Sequence, residues 1–300
     1  ALMWPGLLNG DLGKPWLHAT GITPLISMAA RQSWDAHLTH ACSEGIPISL
    51  DLNHRKQLGT LSELWAMVDV HVANLELIIL SIDQLVGLAA LLSLTVSIGF
   101  DSGDAACLTA MAALHRLWRC KRVALCRKVR DASGKQRRWS LLSAAKTDAS
   151  GTTHFLDLST SDTPVWHLPK DECGGGSAWA AGFIHAMHIE PSASDDFEEV
   201  QRRCIRRADL LSALCQETAG DFSAVTLDQL HAAERTFLNV EARLPGTEVG
   251  DSLGGIMAHA LPSKEVAGGM VEATLAGLKA AGVLAILRAK GDAQWSRRWV

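Results

Sequence analysis

The chain has 300 residues, 48% of them hydrophobic and 20% charged, enough for one large α/β domain or two smaller ones. A net charge of −4 gives no sign of a nucleic-acid coat or of a protein drawn to an anionic membrane surface. Seven cysteines, an odd count without a C-x-x-C pair, argue against a disulfide framework or a zinc site and for the cytoplasm or another reducing compartment.

Residues 16–20 form a short apolar run that ends at Gly21. Helical spacing covers 24–41, with Leu25, Ile26, Ala29 and Ala30 on one side. Gly45 breaks the chain before a strand at 46–50 that runs into Asp51. A short helix is predicted at 61–68, a strand at 70–73, a helix at 85–92 and a strand at 94–99. Asp83, Gln84 and several serines interrupt the apolar stretch 75–100, which therefore reads as a buried helix followed by a buried strand, not a membrane span. An amphipathic helix at 104–119 leads into a strand at 122–127, and turn chemistry at 130–135 predicts a hairpin returning over 136–142. Such alternation predicts a mostly parallel sheet flanked by helices. Further helices are expected at 178–187, 200–218 and 227–240, with an acidic loop at 191–199 and Gly220 placed to stop the second of them. The basic runs at 127–138 and 202–207 read as solvated faces. Residues 1–5 carry no secretory signature. His18, His54, His185 and His188 read as packing residues, without metal-ligand spacing to acidic partners.

Two segments carry chemistry. The first is Asp171-Glu172-Cys173-Gly174-Gly175-Gly176-Ser177-Ala178-Trp179-Ala180-Ala181-Gly182. Glycines allow close backbone approach, and free N–H groups at a helix start point at negative charge, so the segment reads as an anion site. A tight turn before a packed helix is the competing reading. In the second, a strand delivers Asp51, Asn53 and Arg55 at its carboxyl end, where parallel sheets bind ligands. Alternation places the three on one side if the strand persists. An Arg there suits a carboxylate.

Both segments resemble motifs of the ribokinase/PfkB carbohydrate kinases. The first is similar to Asp-Thr-x-Gly-Ala-Gly-Asp-x-Phe-x-x-Gly, with Asp171, Gly174, Gly176 and Gly182 matching and Trp179 in place of Phe. The resemblance implies that Gly174, Gly175, Gly176 and Ser177 form the anion hole for the transferred phosphate. Glu172 replaces Thr, and Ser177 replaces the family's catalytic Asp, the general base, which puts turnover in doubt. The second resembles the family's Asp-x-Asn-x-Arg, whose Arg contacts the acid sugar in 2-keto-3-deoxygluconate kinases. By the same resemblance Asn74 and Glu76 stand near the Asn-x-x-Glu motif, out of register with it. Lys128 stands near a Lys-x-Gly whose Gly is Arg130, and with Asp171 these complete a nucleotide and metal vicinity. Weaker similarity extends over 16–23, 207–214 and 220–226.

The resemblance implies a ribokinase-like, Rossmann-like α/β fold over residues 1–244, and phosphorylation of a sugar or acid sugar by ATP with Mg²⁺. The family's opening strands, Gly-Gly sugar segment and β lid do not precede Trp16, so a domain incomplete at its N-terminus is expected. Residues 245–265 read as a linker. Within 266–300 a helix at 266–279 and a strand at 282–288 are expected, and 281–290 resembles the first strand of a 2-keto-3-deoxy-6-phosphogluconate aldolase, a (β/α)8 barrel cut short here. The alternatives are a silent kinase-fold binding or regulatory module and a non-functional fragment. The partners implied are small molecules, a sugar and a nucleotide. No nucleic acid or membrane is implied, and a homo-oligomer is compatible.

Overall fold

The structure, a computed structural model, describes residues 15–188, 196–218, 220 and 225–241. The linker, the barrel-like segment, most of the acidic loop and Asp221 to Ser223 lie outside the described residues. Four strands lie parallel and in chain order: β1 (Leu17–Thr20), β2 (Ile48–Asp51), β3 (Leu77–Leu80) and β4 (Arg122–Arg130). β4 turns into β5 (Gln136–Thr147), and this hairpin is antiparallel, as expected. Two further strands, β6 (Thr153–Ser159) and β7 (Val165–His167), pair with successive parts of β5. Sequence reading had not found them.

Helices α1 (Thr23–Ile26) and α2 (Met28–Ser43) join β1 to β2, and α3 (Leu61–Val68) joins β2 to β3. α4 (Ile82–Leu91) and α5 (Asp104–Trp118) join β3 to β4. Right-handed crossovers between successive neighbours place these helices on one face. The other face is covered by α6 (Gly175–His188) and α7 (Phe197–Gln216), and α8 (Leu227–Glu241) packs on α7 through Leu230, Ala233 and Phe237. Strand alternation divides the core accordingly. Leu50, Ile78, Leu80, Val123, Leu125 and Leu141 pack under α2 to α5, and Leu77, Ile79, Ala124 and Leu142 under α6 and α7. α6 and α7 approach closely at Gly182, where an added side-chain carbon would lie 2.9 Å from Ala208 Cα. Capping boxes, Thr60 with Glu63 and Ser81 with Gln84, start α3 and α4.

Two expected strands are corrected. Residues 70–73 form a turn that leads into a 3-10 turn at Val72–Asn74, with Val70 exposed. The strand falls instead on Leu-Ile-Ile-Leu at Leu77–Leu80, the uninterrupted apolar run that a strand covered on both faces requires. Residues 94–99 form no strand; Leu94, Val96 and Ile98 drape a loop over the core. The apolar stretch is therefore strand, helix, loop. The basic runs are not wholly solvated: Arg138 and Arg207 are buried, and Arg207 pairs with Glu234 at 2.7 Å. All seven cysteines are free. Among the described residues no helix is long and apolar enough to cross a membrane.

Candidate active site

The strand face under α6 and α7 turns polar toward the carboxyl edge. Alternation places Ser49 and Asp51 of β2, Cys126, Lys128 and Arg130 of β4, and Arg138 and Ser140 of β5 on it. The glycine segment meets this edge. Gly174 has φ +78°, a left-handed backbone that glycine takes without strain, and its carbonyl accepts the N–H of Ala178 at 2.8 Å. The N–H groups of Gly175, Gly176 and Ser177 meet no acceptor among the described residues, and Gly176 and Ser177 are exposed. Open donors at the start of α6 favour an anion.

Behind the loop, α7 holds it in place. Ser212 Oγ donates to the Gly175 carbonyl at 2.5 Å, and Gln216 Nε2 donates to the Glu172 carbonyl at 3.2 Å. Arg138 in turn donates to Ser212 and, at 3.3 Å, to Gln216 Oε1, which also bonds His167 at 2.9 Å. Trp179 is anchored under α6 by polar contacts: its indole N–H donates to Ser140 Oγ at 2.9 Å and Asp209 Oδ1 at 3.0 Å. Asp209 also accepts from Ser140 at 2.6 Å and Thr160 at 2.9 Å. Burial nevertheless pushes its carboxyl up to about 6, against the lowering effect of these bonds and of Arg138.

Asp51 ends β2 beside the glycines. A side-chain carbon added at Gly176 would lie 3.9 Å from Asp51 Oδ2. Its other oxygen accepts the Asn53 N–H at 3.1 Å, closing a turn in which Asn53 takes φ 37°. Burial pushes the Asp51 carboxyl up to about 6, opposed by that bond and by the Arg55 charge. The strand does not persist beyond Asp51, so the three residues do not share one strand side. Arg55 is exposed in a turn closed by Leu58 N–H on its carbonyl at 2.9 Å.

At the other flank, Glu172 joins the two cations of β4: its carboxylate accepts from Lys128 and, at 2.5 Å, from Arg130. The Lys128 hydrogen bond is the main reason the Glu172 carboxyl titrates low. All three side chains are about half exposed, so the pairs add little stability. Asp171 closes the loop on itself, accepting from Cys173 N–H at 2.9 Å and Gly220 N–H at 3.2 Å.

Asn74 and Glu76 do not join this group. They precede β3 at the amino edge, where Glu76 N–H bonds the Ile48 carbonyl at 2.7 Å and the carboxylate pairs with Arg122 and, at 2.7 Å, Lys121. The carboxyl end of β3 leads into Ser81 and Gln84, which cap α4. Among the described residues no three His, Cys, Asp or Glu are grouped to hold a metal ion, and the uncharged Ser81 and Gln84 do not fit a protein-held Mg²⁺. His185 and His188 pack against Arg207 and Trp16.

No protein-family model and no curated protein matches the chain. Solved structures do. The 2-dehydro-3-deoxygluconokinase of Thermotoga maritima matches at 18% identity and TM-score 0.56, over 76% of this chain and 61% of its own. A PfkB family carbohydrate kinase of Listeria grayi matches at 16% and 0.56, over 77% and 63%. A fructokinase of Vibrio cholerae, bound to fructose, ADP and calcium, matches at 19% and 0.50, over 73% and 61%. The fold is ribokinase-like. The chain spans less than two thirds of the length of these sugar kinases. In this ribokinase-like frame the glycine loop and the end of β2 meet at one edge of the sheet.

Proposed function

We propose that this edge phosphorylates a sugar, with ATP as donor and an acid sugar resembling 2-keto-3-deoxygluconate as acceptor. The observation that carries the reading is the juxtaposition of the open N–H groups of Gly176 and Ser177 with the Asp51 carboxylate on a ribokinase-like scaffold. The N–H groups and the helix start stabilise charge on the transferred phosphoryl group. In this reading Lys128, at the Glu172 flank of the loop, would meet nucleotide phosphates, and Asn53 and Arg55 offer an amide and a cation to the acceptor carboxylate. Serine at position 177 cannot hold a proton near neutral pH, so turnover is slow. That same serine favours a second reading, a silent kinase-fold module that binds nucleotide without transfer.

Calorimetry with ATP, and ADP release in the presence of 2-keto-3-deoxygluconate, test both. The chain binds ATP and releases ADP slowly, and Ser177→Asp raises the rate at least ~10²-fold. Binding with no turnover in either version would favour the silent module. No binding of ATP would overturn the kinase reading.

A further inference from the structure

Ser177 leaves open which group accepts the proton of the acceptor hydroxyl. We propose that Asp51 Oδ2 is that acceptor, an inference that rests on the kinase reading above. Three observations place it there. Asp51 is the last residue of β2, so its side chain stands at the carboxyl edge, on the face that α6 covers. Oδ2 lies within van der Waals reach of the side-chain position of Gly176, beside the open N–H groups that would hold the phosphoryl oxygens. The two oxygens differ in state: Oδ1 is committed to the Asn53 N–H, and Oδ2 has no partner among the described residues. A hydroxyl set against Oδ2 is then adjacent to a phosphoryl group held at Gly176, the proximity that transfer requires.

The step balances without another reactant. The hydroxyl oxygen forms a bond to the γ-phosphorus, and the bond from phosphorus to the bridging oxygen breaks. Its electron pair stays on the departing ADP, and the hydroxyl proton passes to Oδ2. The surroundings suit the role. A carboxyl held up to about 6 is ionised at neutral pH and more basic than an exposed one. The positive charge of Arg55 opposes that rise. His18, on the same strand face of β1, is kept neutral by burial, which pushes it down to about 4. Cys126 on β4 is kept a neutral thiol because burial pushes it well above the thiol range. Asp209, behind the glycine loop, is raised into the same range, so the inflection is assigned to Asp51 by its loss in Asp51→Asn.

The test measures ATP binding by calorimetry and ADP release with 2-keto-3-deoxygluconate from pH 5 to 8, for four forms of the chain. The unaltered chain gains rate as pH rises through about 6 and then levels, because only the carboxylate accepts a proton. Asp51→Asn keeps ATP affinity within about threefold and loses at least ~10²-fold in rate, together with the inflection. Asp51→Asn combined with Ser177→Asp recovers the rate to that of Ser177→Asp alone, since a carboxylate is again present at the edge. A merely structural role for Asp51 predicts no such recovery. Asp51→Asn with an unchanged rate, or a double variant that stays dead although folded and ATP-bound, overturns the assignment. So does an unaltered chain that binds ATP without turnover, and that outcome leaves nucleotide binding standing. Failure to bind ATP at all overturns the kinase reading and this assignment with it.

Discussion

Under α2 to α5 the strand residues Leu50, Ile78, Leu80, Val123, Leu125 and Leu141 are all apolar and buried. On the opposite face the alternate positions of the same strands carry Ser49, Asp51, Cys126, Arg138 and Ser140. Each fully buried aliphatic side chain on the first face is worth roughly 1.5–3 kcal/mol, and none needs a partner. The second face must satisfy every polar group it buries. It does so behind the glycine loop, where Asp209 has three donors, and leaves Asp51 Oδ2 open in front of it. Burial pushes both carboxyls up to about 6, so titration alone does not distinguish them. Their partners do: the satisfied carboxyl fixes Trp179 and hence α6, and the open one faces the anion site.

The comparison can be broken from either side. Ile78→Ala, in the middle of the apolar face, leaves a cavity between the sheet and its helices and lowers stability by about 2–5 kcal/mol. Urea unfolding followed by tryptophan fluorescence measures it, and a loss under about 1 kcal/mol would mean that this face repacks freely. On the polar face Asp209→Ala leaves Ser140, Thr160 and Trp179 without their acceptor and costs about 1–3 kcal/mol. Asp209 also gives a sign for pH. Its carboxyl is raised in the fold from 3.8 to about 6, so its contribution is full below the unfolded value and is lost as pH rises through about 6. The stability of the native chain relative to Asp209→Asn therefore falls over that range, and matched urea titrations at pH 4, 5, 6 and 7 show it. A difference that grows with pH would contradict the burial argument.

The smallest effect sharpens the view of the front of the site. Glu172→Thr releases Lys128 and Arg130 for nucleotide phosphates and tightens ATP binding about 2–5-fold, more at low salt. Calorimetry at two ionic strengths checks it. Weaker binding would mean that Glu172 positions the loop and does not compete for the cations.

Local chemistry made much of this legible in the sequence. Alternating strand and helix periods determined a mostly parallel sheet between helices, and Gly174 to Gly176 before a small-residue run determined a glycine turn opening a helix. The strand end at Asp51 was equally plain, because an apolar run stopped at a charge. The strands expected at 70–73 and 94–99 are a turn and a loop, because short runs with apolar residues describe a half-buried loop as well as a strand. The strand at Leu77–Leu80 does not alternate, since helices cover both its faces. Asn74 and Glu76 consequently precede that strand, at the amino edge of the sheet. Only the tertiary structure set Asp51 beside Gly176 and Asp209 beneath Trp179, and only it left one carboxylate satisfied and the other open. The physical reason is range. Periodicity, caps and turns act over a few residues, whereas the partners of a buried charge come from whichever distant strands and helices the packed sheet brings to it.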